Sequence, residues 1–404
     1  MGFKPNRTRR TWLASCASAV AGVSVLAGCT SDSSETNEDE PENDDDALSA
    51  DTWPMYGVDP QNTGYHPTAT GPTGDEVRLR KVFEGEGSIS NSPVIVDDML
   101  YVAANTHLYA VDLETEELEW QKEVNASPAA HPAAGDDRVF AGTRDGIVAA
   151  DLEDGEIRWR NDIGISSVNP VPVNDGVVGT ENLFLHYFDR ENGDEHTLHD
   201  MREHQGGRPY TDVPAVDNGN AYFVSENTVY AVDIENGRIQ WQFENTTEKP
   251  LGESNPAVVD GTVYLGGEDQ HLYAIKEGEE RWSLEIDEPI VSSPSITEDT
   301  VYFGGGGTGS QDFFAIDIES QTNYWGPKDL RYSVTAKPIV TDDIVYVSSY
   351  FDLLAFDADD GAVKWRLKEF GEDDGESIRA PPAISNESLY IPTSEGNIYA
   401  VEDD

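Results

Sequence analysis

A proline followed eight residues later by an aromatic residue recurs along this chain at intervals of 38 to 44 residues. The pairs are Pro93/Tyr101, Pro132/Phe140, Pro214/Tyr222, Pro256/Tyr264, Pro294/Tyr302, Pro338/Tyr346 and Pro382/Tyr390, and Pro170 alone has a valine, Val178, at that offset. Eight copies at this period match the size of a propeller blade. Within a copy the pattern is strand throughout. Ser92 to Ala103 reads as a short apolar run, an acidic turn and an alternating strand, and His107 to Val124 as two more strands around a polar turn. Asp154-Gly155 and Asn236-Gly237 are favoured hairpin dipeptides.

A second pair of residues marks the outer half of each copy. An aspartate closes the third strand and a tryptophan follows eight residues on: Asp112/Trp120, Asp151/Trp159, Asp233/Trp241, Asp317/Trp325 and Asp357/Trp365, with Trp282 reached after a shorter turn. One tryptophan per blade points to packing between neighbouring sheets. The last copy stops after its third strand, and Val77 to Phe83 supplies the missing fourth, with Leu79 near the tryptophan's place. Such closure removes the open edges of the ring. The predicted fold is all-β: an eight-bladed β-propeller of four-stranded antiparallel blades, closed by an N-terminal strand that completes the last blade. Residues 51–404 form it, with 51–76 as a lead-in segment and 77–83 as the closing strand.

The remaining residues read as export and anchoring. Lys4, Arg7, Arg9 and Arg10 precede an uncharged stretch from Leu13 to Ala27, too short for a membrane span. The stretch Thr8 to Leu13 resembles a twin-arginine signal built on Arg9 and Arg10, and Leu26-Ala27-Gly28-Cys29 resembles a lipobox. Residues 1–28 are then a cleaved leader and Cys29 the lipidated first residue, placing the domain at the outer face of the cell membrane. Residues 29–50 are an acidic, disordered tether. The only other cysteine, Cys16, lies in the leader, so the mature chain has neither a disulfide nor a thiolate metal site. Charge sharpens the picture: 26 Lys+Arg stand against 78 Asp+Glu, a formal −52. A surface so acidic repels nucleic acid. It also strains the compact state unless salt screens it, as in proteins of halophilic archaea.

The "YAVD"-type third strands, the Asp154-to-Trp159 type of fourth strand, and Trp53 to Tyr65 (WPMYGVDPQNTGY) resemble the quinoprotein-like repeat family. Its members include pyrroloquinoline-quinone dehydrogenases and a BamB-type lipoprotein of outer-membrane assembly. The resemblance covers Trp53 to Glu402 and implies the fold strongly and the function weakly. The dehydrogenases would bring pyrroloquinoline quinone with calcium, but they carry an adjacent cysteine pair that this domain lacks. The expectation is therefore no cofactor, no catalytic residue and no metal. What remains is a monomeric binding or assembly scaffold, with a dehydrogenase as the alternative.

Polar residues at or just before the repeat prolines are the candidate channel-mouth site: His131, Asn169, Asp212, Asn255, Lys337 and Arg379, with Asn91, Ser92, Ser254, Ser292 and Ser293 beside them. The two cations suggest an anionic small molecule or an acidic peptide; the other reading is a water-lined channel with internal ion pairs. Blade three departs from the rest. It has no tryptophan, Leu198 standing in, and holds His186, His196, His199 and His204, read as a divergent edge that a protein partner could recognise. Gly304 to Ser310 lacks the Lys-Ser/Thr ending of a phosphate loop and reads as a hairpin loop. Asn125, Asn245 and Asn386 head glycosylation sequons.

Overall fold

The structure, a computed structural model, describes residue 49 and residues 51–404, apart from 126–129, 163, 165–167, 182–183, 201–211, 226, 248, 253, 307–310, 331, 369 and 371–375. Arg9, Arg10, Cys29, the tether except residue 49, His204 and the end of the glycine run lie outside these residues.

Among the described residues, thirty-two strands form eight four-stranded antiparallel sheets, the blades of a β-propeller. Blades one to seven each use four consecutive strands, covering 94–123, 133–161, 171–200, 215–244, 257–285, 295–329 and 339–367. Blade eight is composite. Its three C-terminal strands, Ala383–Ser385, Ser388–Pro392 and Asn397–Asp403, are completed by β1, Val77–Glu84, which pairs antiparallel with the last of them. The closing strand thus lies where expected, one residue longer.

The eight-residue spacing is the geometry of a tight hairpin. Each proline immediately precedes a two- or three-residue innermost strand, and a short turn brings the aromatic back opposite the strand's first residue. Val94 pairs with Tyr101, Ala133 with Phe140 and Ser295 with Tyr302. The third strand places a small residue beside that aromatic, and the fourth places the tryptophan next in the row: Tyr101–Ala110–Trp120 and Phe140–Ala149–Trp159. Because alanine has only a methyl group, the flanking rings meet over it, with centroids 5.8–6.1 Å apart in six blades.

Tryptophans also reach across blades. The indole N–H of Trp120 donates to the Leu152 carbonyl (3.0 Å), that of Trp159 to Arg190 (2.6 Å) and that of Trp325 to Ala358 (3.3 Å), each in the outer turn of the next blade. Trp365 finds its acceptor on Pro72 instead (2.9 Å), because the following blade is completed by β1 and the segment before it. Under three of these rings lies a glycine of the neighbouring turn. Gly155, Gly193 and Gly361 all have φ near +70°, and a Cβ there would lie 2.5–2.7 Å from ring carbons of Trp120, Trp159 and Trp325. The DGxxxW pattern therefore joins two blades: its glycine serves the preceding tryptophan, its own tryptophan the following glycine.

Trp241 and Trp282 fill the wedge between blades less completely than the other four tryptophans. Trp120, Trp159, Trp325 and Trp365 are buried, whereas Trp241 and Trp282 are only partly buried, packed at the margin of their clusters. The cause lies in the turn that should cover each ring. Blade five turns within residues 277–278, while the outer turns of its neighbours take four or five residues, so less backbone lies over Trp241. A Cβ on Gly278 would approach the Trp241 Cβ (3.3 Å) and the Gln242 carbonyl oxygen (3.1 Å), not the indole ring. The corresponding turn after Trp282, residues 318–321 of blade six, holds no glycine to let the backbone approach a ring closely.

Two further departures are informative. In blade three the row reads Val178–Tyr187–His196: the bulk has moved from the flanks to the centre, so the missing aromatic and the missing tryptophan are one correlated change. Leu198 occupies a bulge in the fourth strand, and its backbone lies where a Cβ on Gly237 of blade four would project. In blade eight, Arg80 rather than Leu79 sits opposite Ala400, in the tryptophan's register, and pairs with Glu402 and Glu116.

Candidate functional site

The inner edge of the ring decides what this propeller can bind, because innermost strands leave one row of backbone groups unpaired. In six of the blades such groups bond the lead-in segment, which passes them in order. Trp53 exchanges two hydrogen bonds with Ile95 of blade one (2.7 and 2.9 Å). The carbonyls of Pro54, Pro60, Gln61, Thr63 and Gly64 then accept from Ala134, Val216, Val258, Ile296 and Val340 of blades two, four, five, six and seven, at 2.6–2.9 Å. In blade eight, the Ser385 hydroxyl donates to the Asp51 carbonyl (3.2 Å). The turn signals in WPMYGVDPQNTGY explain the path. Gly57 and Gly64 adopt positive φ and close the loop by a 2.9 Å bond, and Asp59 holds the Thr63 N–H (2.8 Å). Met55, Tyr56 and Val58 are buried inside this ring.

The candidate polar residues form a second ring, running from blade to blade. The N–H of Ser92 donates to His131 Nδ1 (2.9 Å), and that of His131 to Asn169 Oδ1 (2.7 Å). Asn169 Nδ2 donates to the Asp212 carbonyl (3.1 Å), and the N–H groups of Asp212 and Val213 to Asn255 Oδ1 (2.9 and 3.1 Å). The N–H of Asn255 donates to Ser293 Oγ (3.0 Å), and the Lys337 ammonium to the Pro294 carbonyl. In nearly every step a side chain of one blade holds the backbone of the blade before it. These side chains lie along the ring, not toward a ligand.

Burial sets their charge. It lowers the His131 imidazole to about 4, so the ring stays neutral and Nδ1 accepts; its face lies 4.6 Å from Tyr56. Lys337 is 2 % exposed, and burial brings its ammonium down to about 7 against the opposing pull of Asp59. Asp59, in the lead-in turn, is raised to about 6 by burial, with Thr63 and Lys337 working the other way. Lys337 thus belongs to the junction between lead-in and ring. Lys337 and Arg379, the two cations expected to act on one anion, share no partner among the described residues.

Arg379 differs. It is exposed, its guanidinium carbon lies 4.6 Å from the centre of the Tyr350 ring, and Nη1 donates to the Tyr350 hydroxyl. Together with Thr335, Ala336, Ser348, Ser349, Tyr350 and Ile378 it lines a cavity of about 110 Å³ between blades seven and eight. Asp212 is also exposed, whereas Asn169 and Asn255 are buried. The residues sequence reasoning missed are Tyr56 and Asp59, which fill and brace the ring, and Ser348 and Tyr350. Two glycines and an Asx-type turn in the lead-in were the available signal for the first pair; nothing in the repeat marks the second.

In blade three, His186 Nδ1 meets Glu195 Oε1 (2.8 Å), His196 lies against Tyr187, and His199 packs on Phe223 and Tyr230 of blade four. No group of three metal-ligating side chains comes together among the described residues.

The comparisons agree with this architecture. The family described as "Outer membrane protein assembly factor BamB" matches residues 68–169, 104–367 and 294–404. The outer membrane protein assembly factor BamB of Yersinia pestis is 27% identical over 168 residues, which is 38% of this chain and 42% of that protein, so less than half of the relative's length is spanned. The crystal structure of BamB from Moraxella catarrhalis superposes with a TM-score of 0.64 at 16% identity, over 80% of this chain and 98% of that one. Quinohemoprotein alcohol dehydrogenase from Comamonas testosteroni gives 0.70 at 12% identity, over 88% and 81%. At such identities the two structures speak for the fold alone. With eight quinoprotein-like blades and a family match along most of its length, this chain belongs to the BamB family of outer membrane protein assembly factors.

Proposed function

We propose that this chain is a non-catalytic binding or assembly scaffold whose propeller presents a face to a protein partner. It is exported by the twin-arginine leader containing Arg9 and Arg10, held at the outer face of the membrane by a lipid on Cys29, and works as a monomer in molar salt. The name of its relatives, an assembly factor, agrees with such a role. The observation that carries the reading is the inner ring: His131, Asn169, Asn255, Ser293 and Lys337 bond the backbone of neighbouring blades. Side chains so engaged make a rigid frame, and a rigid frame with open faces suits recognition better than turnover.

The dehydrogenase alternative needs a slot for a three-ring quinone, and ligand pockets of that kind run to about 300 Å³ or more. At the inner ring and its mouth the residues do not fit one. Tyr56 lies against His131, Lys337 is occupied by the Pro294 carbonyl, and the cavity at Arg379 is about 110 Å³. No redox step is assigned. Mixing purified protein with pyrroloquinoline quinone and calcium tests the choice: the scaffold reading expects an unchanged quinone spectrum, and alcohol-dependent bleaching of bound quinone would replace it with an enzyme.

A further inference from the structure

Resting on the scaffold reading, we infer that the cavity between blades seven and eight is a receptor for a single carboxylate, a glutamate or aspartate side chain of the partner protein. Four features converge there. The Ser348 hydroxyl is 2 % exposed, lines the cavity, and has no hydrogen-bond partner among the described residues. A buried hydroxyl left unsatisfied costs about 1–3 kcal/mol, which an incoming acceptor would recover. Arg379 sits at the rim, and among the described residues no carboxylate lies within ion-pair distance of it. In a chain with 78 acidic residues, Arg379 is held, among the described residues, on a tyrosine instead of an acid, and only one of its five N–H donors is used there.

Size and surroundings narrow the ligand. A cavity of about 110 Å³ takes a carboxylate with a short stem, not a nucleotide or a cofactor. Around it lies an aromatic cluster: Tyr350 is 42% exposed, Phe351 stands edge-on to it at 5.7 Å, and Tyr332 meets Phe351 at 5.3 Å. Exposed tyrosine and arginine side by side are the composition of an interface hot spot. The aromatic rim would cover the peptide on either side of the acid while Arg379 and Ser348 take its oxygens.

The probe is N-acetylglutamate α-amide, with N-acetylglutamine α-amide as its neutral counterpart, read by saturation-transfer NMR on the mature protein in about 2 M salt. The glutamate derivative should bind at least about tenfold tighter than the glutamine one, as loss of a charge-assisted hydrogen bond implies. Arg379→Gln should erase that difference, and Ser348→Ala should weaken glutamate several-fold with an unchanged circular dichroism spectrum. Equal binding of both probes, or glutamate binding untouched by Arg379→Gln, would overturn the assignment. So would displacement by sulfate as effective as by acetate, which would make the site a general anion site. Should the probes fail while the wild-type protein still cross-links a partner through this face, the carboxylate site falls and the scaffold stands. Should glutamate bind while no partner cross-links from any face, the scaffold reading falls.

Discussion

The inter-blade contact between a tryptophan and the next blade's turn glycine can be tested at Gly361. Its φ is +66°, and a Cβ added there would lie 2.5 Å from Trp325 Cδ2 and 2.8 Å from Lys328 Cε. Gly361→Ala therefore carries two costs. The left-handed backbone costs a non-glycine residue about 1–2 kcal/mol. Forcing a methyl into the indole adds about 1–3 kcal/mol more, since Trp325 is itself held by its N–H bond to Ala358. The total expected is about 2–5 kcal/mol. Gly219 is the control: its φ is +75°, yet nothing lies within 4 Å of the added Cβ, so Gly219→Ala should cost the backbone amount alone, about 1–2 kcal/mol. Denaturant unfolding at constant salt measures both. A second background isolates the steric part: with Trp325→Leu present, the cost of Gly361→Ala should fall toward that of Gly219→Ala, a coupling of about 1–3 kcal/mol. Equal losses at the two glycines, or no coupling to Trp325, would refute the idea that this contact joins the blades.

Closure and the lead-in can be separated by truncation. A chain beginning at Asp75 loses the inner hydrogen bonds, and one beginning at Gly85 also loses the strand against Asn397–Asp403; unfolding midpoints should drop in two steps, and equal midpoints for all three lengths would contradict the assignment. His131 carries a pH dependence. Its folded value near 4 lies below the ordinary 6.5, so its contribution is present above about 6.5 and is lost as pH falls toward 4; Asp59, raised to about 6, acts in the opposite sense over roughly the same window. His131→Gln should flatten the acid loss by about 3 kcal/mol in stability-versus-pH curves, while an unchanged slope would mean that the imidazole is not held neutral. For the anchor, Cys29→Ser should leave the protein unprocessed or released to the medium, as membrane fractionation would report. With formal charge −52, thermal midpoints should climb between about 0.1 M and 3 M salt; a flat profile would count against adaptation to molar salt.

Blade number, blade order and the closing strand were all legible in the sequence, because each spacing is set by local geometry. Eight residues from proline to aromatic is one short strand, one tight turn and the return, and eight from aspartate to tryptophan is an outer turn plus half a strand. How deeply each tryptophan is enclosed was not legible, since Trp241 and Trp282 depend on the turn of the following blade rather than on their own repeat. The site was less legible still. Spacing locates a residue along a strand but does not say what its side chain meets in the neighbouring blade. Lys337 immediately precedes its proline and is buried in the ring, whereas Arg379 stands three residues before Pro382 and is exposed at the mouth. That offset of two residues separates a structural cation from an available one. The course of the lead-in was invisible for another reason. It repeats nothing, and its partners are backbone N–H groups that every sequence possesses. Blade three shows compensation across strands, where Tyr187 takes up space that Val178 gives back, and pairing register must be known before such changes connect.

The central claim, that this propeller is a scaffold whose mouth at blades seven and eight meets a protein, is tested most directly by site-specific photo-cross-linking on intact cells. A photoreactive residue would be placed in turn at Thr335, beside the Arg379 cavity, and at Gly219, in the exposed turn of blade four. The account predicts a discrete protein adduct from Thr335 that disappears with Arg379→Gln, and none from Gly219. Adducts of equal yield from both positions, or from neither, would contradict it.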